Sequence, residues 1–451
     1  MGMVYRPPPY FNWTGGKTHG TLGGMQGNQI LHHLDQDYTE PIRDPLWKHI
    51  YLSPQMMTIV ASEPFQKLYR IKQLGITHLV YPGATHTRFV HSLGVFHLAK
   101  RVLRGLLASE NAPSLSLEGV KAFLCAALLH DIGHFPFTHS LKELPLREHE
   151  SLTADLIYAP PLENLLKHQV GTEPWMVAAI VDPHLDDEGS SEIPFFRNLL
   201  SGVLDPDKLD YLNRDAYFCG VPYGIQDTDF VIGRIHPHPQ RGISLDLTGL
   251  PAAENVLFSK YLMYRAVYWH RTVRIATAMI KKAVFLGLRD GMLSPEDLYG
   301  LDDEEFFHTT VEQSYRPFSL IQRVASRRLL KSAMETPFDP SSPPMEKLLD
   351  LEYRNAKEED IARILSRETG ISLEPEDVVI DIPEQISFEI DIPILLPTGN
   401  LVEYADAGSV FSPPVVEGFV RTLRVLRVAV IPEVLDSLPR VSILLKEFLR
   451  T

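Results

Sequence analysis

The chain has 451 residues, with 43 Lys plus Arg against 57 Asp plus Glu, giving a formal net charge of −14. Its 44% apolar content is enough for a packed core and excludes wholesale disorder, while the acidic balance argues against nucleic acid or an anionic membrane as the main partner. Two cysteines cannot build a disulfide framework, so a reducing cytoplasm is the expected setting.

No basic-then-apolar signal opens the chain, and Arg6 stands where a myristoylation signal has Ser or Thr. No apolar run approaches the ~20 residues that span a bilayer. Residues 1–40 read as an irregular arm, with Pro7-Pro8-Pro9 followed by closely spaced glycines. Gly16-Lys17-Thr18 resembles the end of a phosphate-binding loop, but Phe11 occupies the required glycine position and no strand precedes it. From 41 to 290 the pattern is helical. Phe65, Leu68 and Ile71 step by three after Pro64, and Phe89, Leu93, Phe96 and Leu103 follow helical spacing. Residues 124–129 read as a buried helix, and 252–286 as one long helix closed by Gly287 and Asp290-Gly291. Residues 291–345 read as a charged helical extension with a Pro-rich linker. The remainder, 346–451, reads as a smaller α+β region, with a helix at 346–370 and strands at 378–382, 386–390 and 425–430.

The 18 histidines are the unusual count, and their clustering carries the chemistry. His130-Asp131 closes an apolar helix, where a polar pair is costly to bury unless it binds something. Imidazole and carboxylate are both metal donors. His134 shares a face with His130 if the helix continues, although Gly133 and Pro136 place its end nearby. Upstream, Arg88 and His91 are three apart and share a helical face. Downstream, helical numbering puts Asp207, Tyr211, Arg214 and Asp215 near one face, which suits a metal and a phosphate better than a core. A lone His-Asp pair is ordinarily just hydrogen-bonded, and a lone Asp-x-Asp is ordinarily a cap. It is the ordered set that points to metal chemistry.

At these residues the sequence resembles the HD-domain metal phosphohydrolases, whose H…HD…D pattern is matched by His91, His130-Asp131 and Asp207. More narrowly it resembles their deoxynucleotide triphosphohydrolase branch, through residues 65–75, 81–94, 130–139 and 214–220. The resemblance covers about 41–290. It implies an HD-domain helical core over 41–290, which with the smaller C-terminal α+β part read from the residue pattern makes the expected fold mainly α.

The resemblance further implies a divalent transition metal (iron, manganese, nickel or zinc) on His91, His130, Asp131 and Asp207, with additional magnesium on the nucleotide. His134, His139 and His149 are then the catalytic histidines around the scissile phosphate. Arg88, Lys208, Tyr211 and Lys260 face the substrate phosphates, with Arg214 and Arg271 as further candidates. Gln73, Asp215 and Tyr268 read the sugar. The implied reaction is water attack at the α-phosphorus of a deoxynucleoside triphosphate, releasing deoxynucleoside and inorganic triphosphate. A nucleotide effector and a homo-oligomer, dimer or tetramer, are the implied partners. The pattern departs at Lys142, where relatives carry an acid, and at Ala61 and Tyr69, where the animal enzyme grips a guanine nucleotide. Two alternatives stand beside this reading: hydrolysis of another nucleotide phosphate ester, and a non-catalytic nucleotide-sensing regulator.

Overall fold

A computed structural model describes residues 22–449, except 110, 239, 240, 389–391 and 439. Gly16-Lys17-Thr18 lies outside the described residues. The described part of the expected irregular arm is instead a helix, α1 (Leu22–Gln36). Ile30 and Leu34 are buried in the main core, and that burial outweighs the weak helix propensity of the glycines. An antiparallel hairpin follows, β1 (Glu40–Asp44) with β2 (Lys48–Leu52). The three-residue steps near Phe65 become one α-turn, Glu63–Gln66, that tightens into a 3₁₀ turn, Lys67–Arg70.

Three helices form the centre. Helix α2 (Arg88–Leu107) packs against α3 (Leu117–Leu129) and α5 (Pro206–Cys219). Ser116 caps α3 by accepting the Gly119 amide, and every residue from 122 to 129 is buried. A helix apolar all round belongs in the middle of a domain. It stops at Leu129, so His130 and His134 do not share a helix face; the chain turns instead, with Phe137 in the left-handed region at φ 64°. Helix α4 (His149–Tyr158) then packs beside that turn. Helix α5 opens on Asp205, which accepts the Lys208 amide, with Pro206 in its first turn; it closes on Gly220 at φ 68°.

The single long helix expected over 252–286 is two helices. After a hairpin of β3 (Ile235–His238) and β4 (Gly242–Asp246), α6 (Leu250–Met263) runs into a π-turn at Tyr264–Tyr268. Helix α7 (Arg271–Arg289) then starts afresh, with His270 accepting the Thr272 amide as its cap. No glycine or proline marks this break. The extension is also partly strand: Lys331–Pro337 is β5, because it pairs along β9 (Val425–Val430). Helix α8 (Leu351–Thr369) and β6 (Val378–Asp381) complete this part, with sheet order β5-β9-β6 and antiparallel pairing throughout. The short strands β7 (Ile394–Leu395) and β8 (Leu401–Val402) extend the β3-β4 hairpin into a four-stranded sheet that the sequence pattern had not indicated. Residues 386–388 are not strand, and 389–390 lie outside the described residues. The fold is mainly α with a smaller α+β part. No helix among the described residues is long and apolar enough to cross a membrane.

Buried ion pairs join α7 to its neighbours. Arg274 meets Asp381 at 2.6 Å, Lys282 meets Glu358 at 2.7 Å, and Lys281 meets Glu143 at 2.9 Å.

Candidate metal centre

The first turn of α2 supplies Arg88 and His91, the end of α3 supplies His130 and Asp131, and the first turn of α5 supplies Asp207. Packing of α2 against both other helices brings these three ends together. One ligand atom each from His91, His130 and Asp131 lies within 4.8 Å of the others. Asp207 joins them, with Oδ1 3.0 Å from His91 Nε2 and 3.9 Å from His130 Nε2. The His130 ring is oriented by its Nδ1, which donates to the Ala127 carbonyl at 3.0 Å. Its Nε2 is buried with no hydrogen-bond partner. A buried, orphaned imidazole nitrogen facing two carboxylates fits a divalent metal, so the cluster is able to hold one.

The electrostatics agree. Burial opposes the charge on Asp131, yet His130, His134 and Arg88 hold its carboxyl well below the usual range. Burial also opposes a charged His91, but Asp207 and Asp210 hold it up at about 10. Two carboxylates on one buried imidazole form an environment built for positive charge.

A second group adjoins the first. His134, His139 and His149 cluster around one point: ring centroids are 3.9 Å apart for His134 and His149, 4.8 Å for His134 and His139, and 5.3 Å for His139 and His149. His134 Nε2 lies 3.2 Å from Asp131 Oδ1, linking the two groups. Gly133 makes this possible: a Cβ there would stand 2.3 Å from the His149 carbonyl oxygen and 2.5 Å from the Thr153 nitrogen. Burial, helped by Arg88, pushes His134 well down and His139 to about 3; burial and the two neighbouring histidines push His149 well down. In all three, burial favours the uncharged imidazole. Lys142, on the same loop, pairs with Glu148 at 3.3 Å. The carboxylate beside His149 is Glu150, at 3.0 Å from Nδ1.

The residues expected on phosphate and sugar are brought together in part. Arg88 Nη1 donates to Asp131 at 2.7 Å, and its Nε is buried without a partner. Tyr211 and Tyr268 face each other edge to face at 6.4 Å. Asp215 accepts the Tyr268 hydroxyl at 2.7 Å and lies 2.8 Å from His86 Nε2. Gln73 donates its backbone N–H to the His86 carbonyl at 3.0 Å, and its side-chain oxygen is buried without a partner. Lys208 is engaged with Asp205 at 2.7 Å and with the Gly202 carbonyl at 2.8 Å. Lys260 is held on the Ser387 carbonyl at 2.8 Å. Arg271 is largely exposed, 3.8 Å from Glu335.

Arg214 is fully buried, and its guanidinium is engaged by Asp44 and Asp210, each at 2.8 Å, rather than offered to a phosphate. His86, Glu150 and Asp210 were missed in the sequence reading. Asp210 left a trace there, because Asp210 and Arg214 stand four apart on one helix, the spacing of an ion pair.

The family model of the HD domain matches residues 88–214, and that of the HD associated region matches 230–403. The chain is an HD-domain protein. Its HD domain is related to the deoxynucleotide triphosphohydrolase branch. It is 35% identical over 295 residues to an uncharacterized protein of Methanocaldococcus jannaschii, covering 64% of this chain and 58% of that one. It is 26% identical over 333 residues to the deoxynucleoside triphosphate triphosphohydrolase SAMHD1 homolog of Dictyostelium discoideum, covering 66% of this chain and 61% of that one. The chain therefore spans less than two thirds of either relative. A solved structure of a hypothetical protein from Aquifex aeolicus aligns with a TM-score of 0.67 at 27% identity, covering 88% of this chain and 98% of that one.

Proposed function

We propose that this HD-domain protein is a metal-dependent phosphohydrolase that cleaves deoxynucleoside triphosphates at the α-phosphorus, releasing deoxynucleoside and inorganic triphosphate. The carrying observation is the junction of two groups through Asp131: a cluster able to hold a metal on one side, three closely packed histidines on the other. The name of the Dictyostelium relative, a deoxynucleoside triphosphate triphosphohydrolase homolog, supports the choice of substrate.

His91, His130, Asp131 and Asp207 would hold the metal. A divalent cation there supplies Lewis-acid polarisation of a phosphate oxygen. The chain supplies the rest. A neutral imidazole accepts a proton from attacking water, and the imidazolium so formed returns it to the leaving 5′-oxygen; arriving phosphate charge raises the imidazole's proton affinity, which suits His134, His139 and His149. Arg88 Nε offers a buried donor to a phosphate oxygen. Asp215, fixed by His86 and Tyr268, and the unpartnered oxygen of Gln73 are acceptors for the 3′-hydroxyl. The Tyr268 ring against C2′ excludes a ribose hydroxyl sterically.

One observation favours a second reading. Lys208 is spent on Asp205 and Lys260 on Ser387, an arrangement that suits a nucleotide with fewer phosphates. The test is chelator-stripped protein reloaded singly with manganese, iron, nickel or zinc. It is assayed against every deoxy- and ribonucleoside triphosphate, alone and in mixtures that expose a nucleotide effector, with sizing to find a homo-oligomer. Triphosphate released from deoxynucleotides alone is the expected result. Orthophosphate release, or turnover only of monophosphates or cyclic nucleotides, overturns it in favour of the second reading.

A further inference from the structure

The metal-donor set has a second layer behind His91. The ring's other nitrogen, Nδ1, lies 2.9 Å from Oδ2 of Asp210, a fully buried carboxylate. That oxygen also accepts Arg214 Nε at 2.8 Å, while Oδ1 accepts Arg214 Nη2 at 2.9 Å and the Trp47 indole N–H. Arg214 reaches on to Asp44 at 2.8 Å. Asp44 in turn accepts the amides of Leu46 at 2.9 Å and Trp47 at 2.7 Å, which shapes the β1–β2 turn. Space for this comes from Gly94, one turn beyond His91. A Cβ there would stand 1.9 Å from Asp210 Oδ1 and 2.5 Å from Arg214 Nη2.

A structural ion pair alone does not account for this arrangement. Arg214 lies between two carboxylates, so the buried trio Asp44–Arg214–Asp210 carries one negative charge in excess. The neighbour that answers it is His91. An imidazole that gives Nε2 to a metal keeps its proton on Nδ1 and needs an acceptor there, and a carboxylate acceptor raises its basicity as a ligand.

We propose that Asp210 is a positioning residue for the metal ligand His91, and that Arg214, Trp47 and the β1–β2 turn lock its carboxylate in place. The inference rests on the metal-centre reading but not on the identity of the substrate. It is tested on the full chain, stripped with chelator, by titration with Mn²⁺ alone, alongside thermal melting of the metal-free protein. Asp210→Asn, which keeps shape and removes charge, is expected to weaken Mn²⁺ binding about 10–100-fold. Trp47→Phe, which removes one hydrogen bond to the carboxylate, is expected to weaken it about fivefold with a near-normal melt. Folded Asp210→Asn protein with wild-type Mn²⁺ affinity overturns the proposal. If Asp210→Asn does not fold, unchanged affinity in Trp47→Phe overturns it instead. Wild-type protein that binds no Mn²⁺ overturns the metal-centre reading and this inference with it. Mn²⁺ binding in wild type without nucleotide hydrolysis removes only the proposed function.

Discussion

Tyr268 donates its hydroxyl to Asp215 at 2.7 Å while His86 holds the same carboxylate from its other oxygen at 2.8 Å. Burial and the Asp215 charge push the phenol far above its ordinary range, so it stays a donor at any physiological pH. Ring and hydroxyl therefore have separable roles. Tyr268→Phe should keep the preference for deoxyribose but lower kcat/KM about fivefold, the worth of about 1 kcal/mol, as Asp215 loosens. Tyr268→Ala should also erase the preference. Matched deoxy- and ribonucleotide kinetics decide this, and an intact preference in Tyr268→Ala removes the ring from sugar discrimination.

Asp207 offers the cleanest removal of a donor. Its side chain is 37% exposed, against 1% for His91 and 5% for Asp131, so truncation disturbs the core least. Asp207→Ala should retain its fold and lose bound metal, with turnover down about a thousandfold if the metal supplies about 4 kcal/mol of transition-state stabilisation. Elemental analysis and triphosphate release on the same preparation check it. Folded Asp207→Ala protein with full metal content and activity takes Asp207 out of the donor set.

The cluster able to hold a metal was legible in the sequence through the family motif, and each of its members sits at a helix end. The H…HD…D order that carried the family resemblance singled out His130, Asp131 and Asp207, and the structure sets them at the end of α3, after its Ser116 cap, and in the first turn of α5, after Asp205 and Pro206. The rest depended on partners distant in the chain. The α1 helix is stabilised by burial of Ile30 and Leu34, and β5 by pairing with β9, neither of which local pattern records. The break between α6 and α7 is made by a histidine cap rather than a usual helix breaker. Arg214 looked available for phosphate only because Asp44, 170 positions away in the chain, could not be placed against it.

Lys260 separates the two readings of substrate. Its ammonium rests on the Ser387 carbonyl at 2.8 Å and 5.5 Å from the centre of the Phe388 ring, so a terminal phosphate must draw it away. If it does, Lys260→Gln should raise KM for a deoxynucleoside triphosphate about tenfold, one charge-assisted contact, and leave kcat nearly unchanged. The same KM in variant and wild type favours the substrate with fewer phosphates.

Glu143 ties the loop that carries His134 and His139 to the C-terminal part. One of its oxygens takes Lys281 of α7 at 2.9 Å and Arg354 of α8 at 3.0 Å. Burial pushes the carboxyl up, but the two cations hold it below its ordinary 4.5. The unfolded chain therefore binds this proton more readily than the folded one. The stabilisation is fully present above the unfolded value and is lost as pH falls through the depressed folded value. Glu143→Gln should cost about 3 kcal/mol at pH 7, because it leaves two buried cations short of a partner. The gap between wild type and variant should narrow as pH drops below about 4.5, where the wild-type carboxyl also begins to lose its charge advantage. Denaturant melts of both proteins at several pH values from 7 to 3 measure that gap. A gap that stays constant down to pH 3 would show that Glu143 acts through packing rather than charge.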